Sequence, residues 1–470
     1  MKTEDIKHLL DFILEDKKFI LILGFAREGR SSYHLLRTLY PCKELGIADR
    51  NVQISKEDTL AKDAHLSFFL GEDYLQSIDK ADYVLKSPGI SLKDYPQWNT
   101  SDKISSQTNL FLQIFHQQII GITGTKGKST TSSLTYHILR QENAQTLLAG
   151  NIGTPLFDII PAIETQSWIV CEFSSHQLEY IHYSPHIAVL LNLFEEHLDH
   201  YTSYQAYQNA KLNIVRYQQK EDIFIYDPSQ KLVDKGFKTL GVNTQVMQYG
   251  IQKKIKIGCS IEHANLYFTN KAGETEVVLD IEKHPFLLGE HNLLNLMAAI
   301  NIAKILHIDN TRIQSALSTF VPLEHRLEFV CCKENVYYYN DSISTIPEAT
   351  IAAIKAIEDP LHFKKVGCLI LGGFDRGINY AILIDYLQRN PIKNIIFVGN
   401  SGLRIFALLK NSKSLPNNYL ISNNYDEIVS WCKQKTPKGE VCLLSPASAS
   451  YDSFKNFEER GRLFKELVLR

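Results

Sequence analysis

Apolar residues follow two alternating patterns along the chain. Residues 19–26, FILILGFA, form a continuous apolar run. A membrane-spanning helix needs about 20 apolar residues, so this shorter run predicts a buried strand. Near the N-terminus the apolar positions instead have helical spacing, at Ile6, Leu9, Leu10, Ile13 and Leu14. That spacing predicts a helix with one apolar face. Apolar runs, polar or glycine loops and helical patterns follow one another to the C-terminus, which predicts an α/β fold.

The pattern divides into three blocks, and domains of about 150 residues would likewise give three in a chain of 470 residues. Residues 1–105 contain a strand, a glycine loop and a helix in KKFILILGFAREGRSSYHLLRTL, then strands in GIADR and ADYVLKSPGISL. Residues 106–322 contain the strand runs SWIVCEF and HIAVLLNLF and the helical GEHNLLNLMAAINIAKIL. Residues 323–470 contain the strand runs KVGCLILGG, KNIIFVGN and EVCLLSPA. We expect one α/β domain in each block.

Charge and cysteine content narrow the class of protein. The net charge is −2, with no basic excess, which argues against nucleic acid as the main partner. The eight cysteines form no C-x-x-C pair. In a chain of this length they indicate reduced thiols in the cytoplasm rather than a disulfide framework. We expect a cytoplasmic protein without a membrane partner.

Residues 121–133, GITGTKGKSTTSS, lie between an apolar run and a helical pattern and suit a phosphate-binding loop. The strict Walker A spacing would need a glycine where the chain has Ile122. The side chain of Lys128 is placed to reach phosphates, and Ser129 or Thr130 to offer a hydroxyl to Mg²⁺. A tight strand-to-helix turn is the alternative, but the strand, three glycines and helix in order favour phosphate binding.

Two further segments carry candidate cation ligands. Glu172 ends the apolar run SWIVCEF, and a carboxylate there is costly to bury unless it meets a cation. His197 and His200 are three residues apart, which is compatible with zinc, but no third and fourth ligand stand nearby. A polar loop and a second cation site remain open for this segment. Lys211 in NAKLNI is by default an exposed helix lysine.

Nine motifs in order along the chain resemble the ATP-dependent Mur ligases of peptidoglycan synthesis, and the similarity spans nearly the whole chain. They are GITGTKGKST, NIGTPL, CEFSSHQLE, NLFEEHLDH, NAKLNI, GEHNLLN, LEHRLE, NDSISTIPEAT and LLSPASASYDSFKNFEERG. The resemblance implies a Rossmann-like N-terminal domain, a central P-loop ATPase-type domain and a Rossmann-like C-terminal domain. It also explains the spacing of the loop, because Mur ligases carry a shorter Gly-Thr-x-Gly-Lys-Ser/Thr sequence, which matches Gly124 to Ser129.

The resemblance implies roles for particular residues. The ATP contacts would be Gly124, Thr125, Gly127, Lys128, Ser129, Thr130, Asn295, Arg326 and Asp341. Two Mg²⁺ ions would be held by Ser129, Glu172, His197 and Lys211, the last as a carbamate. The catalytic residues would be Lys128, His197 and Lys211. The contacts to the other substrates would be Ser87, Gly89, Asn151, Ser174, Gln177, Arg376, Ser450 and Phe457.

By the same resemblance, the chain would be a monomer that joins glutamate to UDP-N-acetylmuramoyl-L-alanine through an acyl phosphate. Such a reaction supplies cell wall precursor and so serves cell shape and division. One position departs from the family, since Ile343 stands where a lysine helps to hold the incoming amino acid. A branched alkyl group cannot pair with a carboxylate, so both D-glutamate, which the family favours, and L-glutamate stay open.

Three other functions are compatible with parts of the sequence. A related ligase could add glutamate to folate, although the ending SPASASYDSFKNFEERG and the full first block favour the muramoyl substrate. A nicotinamide dehydrogenase could use GFAREG and Asp49, but Ala26 replaces the middle glycine of that fingerprint. A nucleotide switch without ligation is the third alternative.

Overall fold

The computed structural model describes residues 3–197, 199–251, 255–281, 289–320, 324–358 and 364–470. Its strands form three separate sheets, and helices lie beside them, as the α/β pattern predicts. None of the helices in these ranges combines the length and the apolar character that crossing a membrane requires.

The first sheet has five parallel strands in the order β3-β2-β1-β4-β5, which is a Rossmann-like order. The strands are β1 (Phe19–Leu23), β2 (Glu44–Asp49), β3 (Leu66–Leu70), β4 (Tyr83–Lys86) and β5 (Ile104–Ser105). The α-helices in this part of the chain are α1 (Thr3–Leu14), α2 (Arg27–Leu39), α3 (Asp58–Ala61), α4 (Pro96–Asn99) and α5 (Gln107–Phe115). Two apolar clusters cover the two faces of the sheet, as a parallel sheet requires.

Helix α1 confirms the predicted N-terminal helix, but its buried stripe is narrower than the sequence suggested. Ile6, Leu10 and Leu14, four residues apart, are buried. Leu9 is 39% exposed and Phe12 is 90% exposed. Residues four apart lie above one another on a helix, so this row is the part of α1 buried in the first sheet's core, with the partly buried Ile13 packed beside it.

The central sheet has nine strands in the order β14-β13-β12-β11-β10-β9-β6-β8-β7. The strands are β6 (Ile119–Thr123), β7 (Leu147–Gly150), β8 (Ile169–Glu172), β9 (Ile187–Leu190), β10 (Ile223–Tyr226), β11 (Gln245–Ile251), β12 (Gly258–Glu262), β13 (Asn265–Thr269) and β14 (Thr275–Asp280). The α-helices are α6 (Lys128–Glu142), α7 (Ser175–Leu178), α8 (Tyr204–Arg216), α9 (Lys231–Leu240), α10 (Glu290–Ile305) and α11 (Asn310–Thr319). Strands β9, β6 and β8 are parallel neighbours, so their carboxyl ends meet at one edge.

The third sheet has six strands in the order β15-β16-β20-β17-β18-β19, and only β15 among them pairs antiparallel. The strands are β15 (Glu328–Lys333), β16 (Val336–Asn340), β17 (Val366–Gly372), β18 (Asn394–Val398), β19 (Asn418–Ile421) and β20 (Val441–Leu444). The helices are α12 (Pro347–Ile357), α13 (Ala381–Arg389), α14 (Gly399–Asn411), α15 (Tyr425–Lys435) and α16 (Phe457–Leu469). Each face of this sheet packs against its own apolar cluster.

Contacts divide the chain into two compact units. The first comprises Met1–Leu279 and Leu294–Leu317, and the second Asp280–Leu293 and Ser318–Arg470. Within the first unit, the first and central sheets share one apolar cluster. The predicted boundary between residues 105 and 106 falls between β5 and α5, where Ser106 caps the helix by accepting a hydrogen bond from Asn109 N at 3.0 Å. The three-domain boundaries stay a prediction.

Helix α1 allows a direct test of its buried row. We expect Leu10→Ala to lower the free energy of unfolding by about 2–5 kcal/mol, because it removes a fully buried side chain. Phe12→Ala removes a larger side chain that is 90% exposed, and we expect a change within about 0.5 kcal/mol. The measurement is urea unfolding of both variants, followed by circular dichroism. Equal losses would show that α1 is not packed through the Ile6, Leu10 and Leu14 row.

Candidate active site

The predicted phosphate loop runs from the end of β6 to the start of α6, as residues 124–127. Gly127 has φ 86°, a left-handed conformation that favours glycine. A Cβ at this position would lie 2.4 Å from Asn295 Oδ1, so the Asn295 side chain packs directly against the loop. The predicted loop glycine Gly121 instead lies inside β6, where a side chain would meet Pro185 at 2.6 Å. The first N–H groups of a helix have no acceptor one turn earlier, so the start of α6 suits an anion.

The loop is fastened to the segment that follows β9. The backbone N–H groups of Thr125 and Lys126 donate to the carbonyl and side-chain oxygens of Asn192, at 3.0 and 2.8 Å. The Thr125 hydroxyl accepts from Phe194 N at 2.9 Å and lies 2.8 Å from the Tyr207 hydroxyl. Sequence reasoning gave no role to Asn192 or Tyr207. These bonds fix the loop in the protein alone, which lowers the cost of ordering it around a ligand.

Two lysine side chains converge on this loop. Lys128 Nζ donates to the carbonyl oxygens of Gly124 and Thr125, both at 2.9 Å. Lys211 Nζ donates to the same Gly124 oxygen at 2.9 Å and to Thr123 Oγ1 at 3.2 Å. The expectation of an exposed Lys211 is wrong: the residue is 2% exposed, because this side of α8 packs on the central sheet. Burial, and then the charge of Lys128, lower the pKa of Lys211 well below its usual range.

Glu172, at the end of β8, is the buried carboxylate beside this loop. It is 1% exposed, and its partner in the neighbouring strand is Ile122. Its Oε1 accepts a hydrogen bond from Asn151 Nδ2 at 2.7 Å. Its Oε2 is buried and has no hydrogen-bond partner in the described part of the chain. A buried carboxylate oxygen without a donor fits a cation ligand, as the sequence predicted for this residue.

The two candidate histidines have different surroundings. The side chain of His197 is 46% exposed, and its backbone has φ 59°. His200 is buried, and its Nε2 lies 3.0 Å from Glu179 Oε2. The ring of His176, which sequence reasoning missed, lies 4.8 Å from that of His197 and 4.1 Å from that of His200. Burial, with the two neighbouring histidines, lowers the pKa of His176 to about 3.

The described residues do not favour zinc at His197 and His200. Three or more ligand atoms of the types that hold metals come within 4.8 Å of one another at two other places in the described ranges. These are Cys368 with Cys432 and Cys442, and Glu324 with His325 and Glu328.

A buried ion-pair network, not predicted from sequence, lies next to the histidines. Lys86 ends β4, its side chain is 1% exposed, and its Nζ lies 3.5 Å from Glu179 Oε2. The ammonium also lies 4.7 Å from the centre of the Tyr180 ring. Burial lowers the pKa of Lys86, while Glu179 opposes that shift. The network thus joins the end of the first sheet's β4 to His200. A lysine closing the apolar run DYVLK was the available signal for it.

The predicted substrate residues Ser87 and Gly89 lie in the loop that follows β4. Ser87 Oγ donates to Gly24 O at 2.7 Å and so ties that loop to the end of β1. Gly89 is exposed, and no atom lies within 4 Å of the position its Cβ would take. Asp49, the acid that a dehydrogenase would need, accepts from Phe25 N at 2.7 Å and Asn51 N at 2.8 Å. Both of its carboxylate oxygens therefore already accept hydrogen bonds from backbone N–H groups.

The remaining predicted contacts of the first unit lie on the edge beside Glu172. Asn151 is fixed by its bond to Glu172, and Arg27 at the start of α2 donates to Asn151 O at 3.2 Å. Ser174 and Gln177 form a capping box at the start of α7. Gln177 Nε2 also donates to Glu28 Oε1 at 2.6 Å, and burial raises the pKa of Glu28. These side chains line the edge where the first and central sheets adjoin.

In the second unit, Asp341 follows β16 and is 3% exposed. Its Oδ1 accepts from Leu327 N at 3.0 Å, and its Oδ2 accepts from Ser445 Oγ at 2.7 Å. Burial raises the pKa of Asp341 to about 6. Arg326, the other predicted nucleotide contact here, is exposed. An exposed cation beside a bonded, buried acid is an arrangement that suits a phosphate and a ribose hydroxyl.

Arg460, missed by sequence reasoning, holds the loops that carry the predicted glutamate contacts. It is 1% exposed and donates to the carbonyls of Ser342, Ser448 and Ala449, at 2.8, 3.0 and 3.2 Å.

The three predicted contacts differ in exposure. Ser450 is buried. Phe457 begins α16, and its carbonyl accepts from Ser342 Oγ at 2.8 Å. Arg376 is exposed, with its guanidinium 5.1 Å from the centre of the Tyr451 ring. A cation held over an aromatic ring on the surface is available to a carboxylate ligand.

Comparison with known proteins assigns the class. Residues 122–303 match the family described as Mur ligase middle domain. Two solved structures share the fold. UDP-N-acetylmuramate-alanine ligase MurC from Thermotoga maritima has TM-score 0.53 and 17% identity, over 96% of this chain and 98% of that one. MurF ligase from Thermotoga maritima in complex with ADP has TM-score 0.51 and 16% identity, over 84% and 92%.

Curated relatives narrow the assignment further. UDP-N-acetylmuramoylalanine--D-glutamate ligase of Koribacter versatilis (strain Ellin345) is 32% identical over 456 residues, which is 96% of this chain and 97% of that protein. The protein of the same name from Clostridioides difficile (strain 630) is 33% identical over 472 residues, 97% and 99% of the two chains. The chain therefore belongs to the family of UDP-N-acetylmuramoylalanine--D-glutamate ligases within the Mur ligases.

The loop gives a matched pair of glycine substitutions. Gly127 and Gly241 have φ 86° and 63°, so alanine is strained at both by about 1–2 kcal/mol. Only at Gly127 does the added Cβ meet a neighbour, Asn295, whereas at Gly241 nothing lies within 4 Å. We expect Gly127→Ala to weaken ATP binding at least about tenfold, and Gly241→Ala to leave it unchanged. Isothermal titration calorimetry with ATP measures this, and equal affinities would contradict the packing of Asn295 on the loop.

Asp341 predicts a pH dependence of stability in the second unit. The folded pKa of Asp341 is about 6, above its ordinary value of 3.8, so the folded chain holds this proton more tightly. The group therefore lowers the free energy of unfolding as pH rises from about 4 to about 6, and contributes no further change above that window. Asp341→Asn should lack this fall, whereas Asp385→Asn, on a side chain that is 64% exposed, should keep it. Urea unfolding at about pH 4 and about pH 7 checks the difference, and a pH-independent gap between wild type and Asp341→Asn would refute it.

Proposed function

We propose that the chain joins D-glutamate to UDP-N-acetylmuramoyl-L-alanine, with ATP converted to ADP and phosphate, in cytoplasmic synthesis of peptidoglycan precursor. The observation that carries this proposal is the group of buried and half-buried charged residues at the ends of β6 and β8. Lys128, Lys211 and Glu172, whose Oε2 has no hydrogen-bond partner among the described residues, lie there beside a preformed loop. Membership of the ligase family supports the amide product, and its relatives carry D-glutamate in their names.

Forming an amide from a carboxylate needs activation, because a carboxylate oxygen is a poor leaving group. Transfer of the terminal phosphoryl group of ATP to the alanine carboxylate supplies it as an acyl phosphate, and the glutamate amine then attacks the carbonyl carbon. The first step brings two anions together, so cations must offset their repulsion. Lys128, at the start of α6 and held over the loop by two carbonyls, is placed to do this. Gly124, Thr125, Gly127, Ser129 and Thr130 would surround the phosphates.

Magnesium suits the carboxylate at this edge, because hard oxygen ligands are what Mg²⁺ prefers. When bound, it would neutralise phosphate charge and polarise the phosphorus–oxygen bonds. Glu172, through Oε2, and Ser129 would hold the first ion. His197 and Lys211 would hold the second. The lowered pKa of Lys211 favours its neutral amine, which is the form that combines with CO₂ to give a carbamate anion.

Residues of both units are the predicted contacts of the other substrates. The loop at Ser87 and Gly89, with Asn151, Ser174 and Gln177, would hold the UDP-muramoyl part where the first and central sheets adjoin. In the second unit, Asn340, Ser342 and Arg460 fix the backbone around Asp341. Arg326 and Asp341 are the predicted nucleotide contacts of this unit. Arg376, Ser450 and Phe457 would contact glutamate.

Ile343 keeps L-glutamate as the second candidate substrate. It is half-buried, and its backbone N–H donates to His325 O at 3.1 Å. Its alkyl side chain cannot hold a carboxylate, so another cation must do so, and Arg376 is exposed and available for it. Incubating the enzyme with UDP-N-acetylmuramoyl-L-alanine, Mg·ATP and either enantiomer of glutamate decides between them. Product with L-glutamate alone would overturn the proposed substrate, and no product with either would overturn the proposed reaction.

Lys126 in the loop and Lys128 at the start of α6 form a matched pair for testing the mechanism. We expect Lys128→Ala to lower the rate of ligation at least about 100-fold, because it removes a charge that faces the transferred phosphoryl group. The Lys126 side chain is 71% exposed and pairs with Glu196, so Lys126→Ala should change the rate by less than about fivefold. Phosphate release that depends on both substrates is the readout. Substantial ligation by Lys128→Ala would contradict the role given to this residue.

A further inference from the structure

Three cysteines from three different elements meet inside the second unit. Cys368 on β17 and Cys442 on β20 are partners in neighbouring strands, and Cys432 lies on α15. The sulfur atoms of all three lie within 4.8 Å of one another, and those of Cys368 and Cys432 are 3.7 Å apart. Two sulfurs bonded to one atom at about the Zn–S length of 2.3 Å lie at most about 4.6 Å apart. The Cys368–Cys432 pair lies within this limit, and the third sulfur lies within it or close to it, so the three thiols, which we call the thiol triad, are near the spacing at which they could share one central atom.

The surroundings of the thiol triad are apolar and uncharged. All three residues are 0% exposed and belong to the apolar cluster on one face of the third sheet. The groups that act on the Cys368 thiol are the other two thiols and Thr436. Burial raises the pKa of the Cys432 thiol well above its usual range. Burying a net charge in this position would carry a large desolvation cost, so the site favours a ligand whose complex with the thiols has no net charge.

Charge balance identifies the class of central atom that the three thiols would bind. Three thiolates around Zn²⁺ carry a net charge of −1 and leave the tetrahedral site without its fourth ligand. Three thiolates around Cu⁺ carry a net charge of −2. A disulfide would use only two of the thiols and would need an oxidant. A trivalent centre bonded to three thiolates is neutral, and arsenic(III) forms such trithiolates.

We propose that the thiol triad is a binding site for trivalent arsenic, supplied as the neutral molecule As(OH)₃. Three S–H and three As–O bonds break, three As–S bonds form, and three molecules of water leave. No atom changes its oxidation state, and no charge is created in the core. Because the sulfurs are fully buried, entry requires local opening of α15 from the sheet, so uptake is slower than reaction with surface thiols.

The test uses the full chain incubated with arsenite and then freed of excess by gel filtration. Native mass spectrometry counts the arsenic bound, and arsenic X-ray absorption counts the sulfur neighbours. The matched variants are Cys442→Ala, which removes one member of the triad, and Cys259→Ala, which removes an equally buried thiol of the first unit. A third variant, with Cys42, Cys331 and Cys332 all changed to serine, removes the exposed and partly exposed thiols. Circular dichroism checks that each variant is folded.

We expect one arsenic per chain with three sulfur neighbours in the wild type, in Cys259→Ala and in the triple serine variant. In Cys442→Ala we expect loss of the three-sulfur signal. No uptake by the wild type, or fewer than three sulfur neighbours there, would overturn the proposal. So would a three-sulfur site that survives Cys442→Ala, or one that disappears with the surface thiols. None of these outcomes depends on the ligase reaction, so the two proposals fail separately.

Discussion

Two lysine ammonium groups donate to one backbone oxygen, that of Gly124, each at 2.9 Å. Like charges this close repel, and burial adds to the cost for Lys211. The charges of Glu196 and Glu172 raise the pKa of Lys211 and so offset part of this cost. The Glu172 carboxylate nevertheless keeps one oxygen without a hydrogen-bond partner in the described chain. Such a set of charges is poorly balanced in the protein alone. A bound polyphosphate with divalent cations would balance it: the phosphates would meet Lys128, and the cations would meet Glu172 and the carbamate proposed for Lys211.

The rest of the first unit can be understood as the support for these charges. Parallel strands bring the ends of β6, β8 and β9 to one edge, so residues 50 to 70 positions apart in sequence become neighbours. Asn192 and Tyr207 hold the loop from one side, and Asn295 packs against Gly127 from another. The Lys86–Glu179–His200 network connects the first sheet to the segment that carries His197. This support makes the loop rigid before any ligand arrives, which is how catalysis by charge placement works.

Local patterns predicted the α/β fold, the strand before the loop, the helix after it and the position of Glu172 at a strand end. Those features depend on neighbours in sequence, namely apolar runs, glycines and a carboxylate that closes a strand. The burial of Lys211 was not predictable in this way, because it depends on which side of α8 faces the central sheet. The contacts of His176, Lys86 and Arg460 were missed for a related reason: their partners come from other loops and elements, and nothing local marks them. In α1, spacing predicted the helix but not that Leu9 would lie outside the buried row. The roles of the individual site residues stay predictions.

The most direct test of the central claim is metal binding at Glu172. Mn²⁺, which replaces Mg²⁺ at oxygen sites and is visible by electron paramagnetic resonance, would be titrated into the enzyme in the presence of ADP. We expect Glu172→Gln, which keeps the shape of the side chain but removes its charge, to weaken Mn²⁺ binding at least about tenfold. Glu262→Gln, on an exposed residue of β12, should bind Mn²⁺ like the wild type. Equal Mn²⁺ affinity in the wild type and Glu172→Gln would contradict the claim that this buried carboxylate holds a divalent cation.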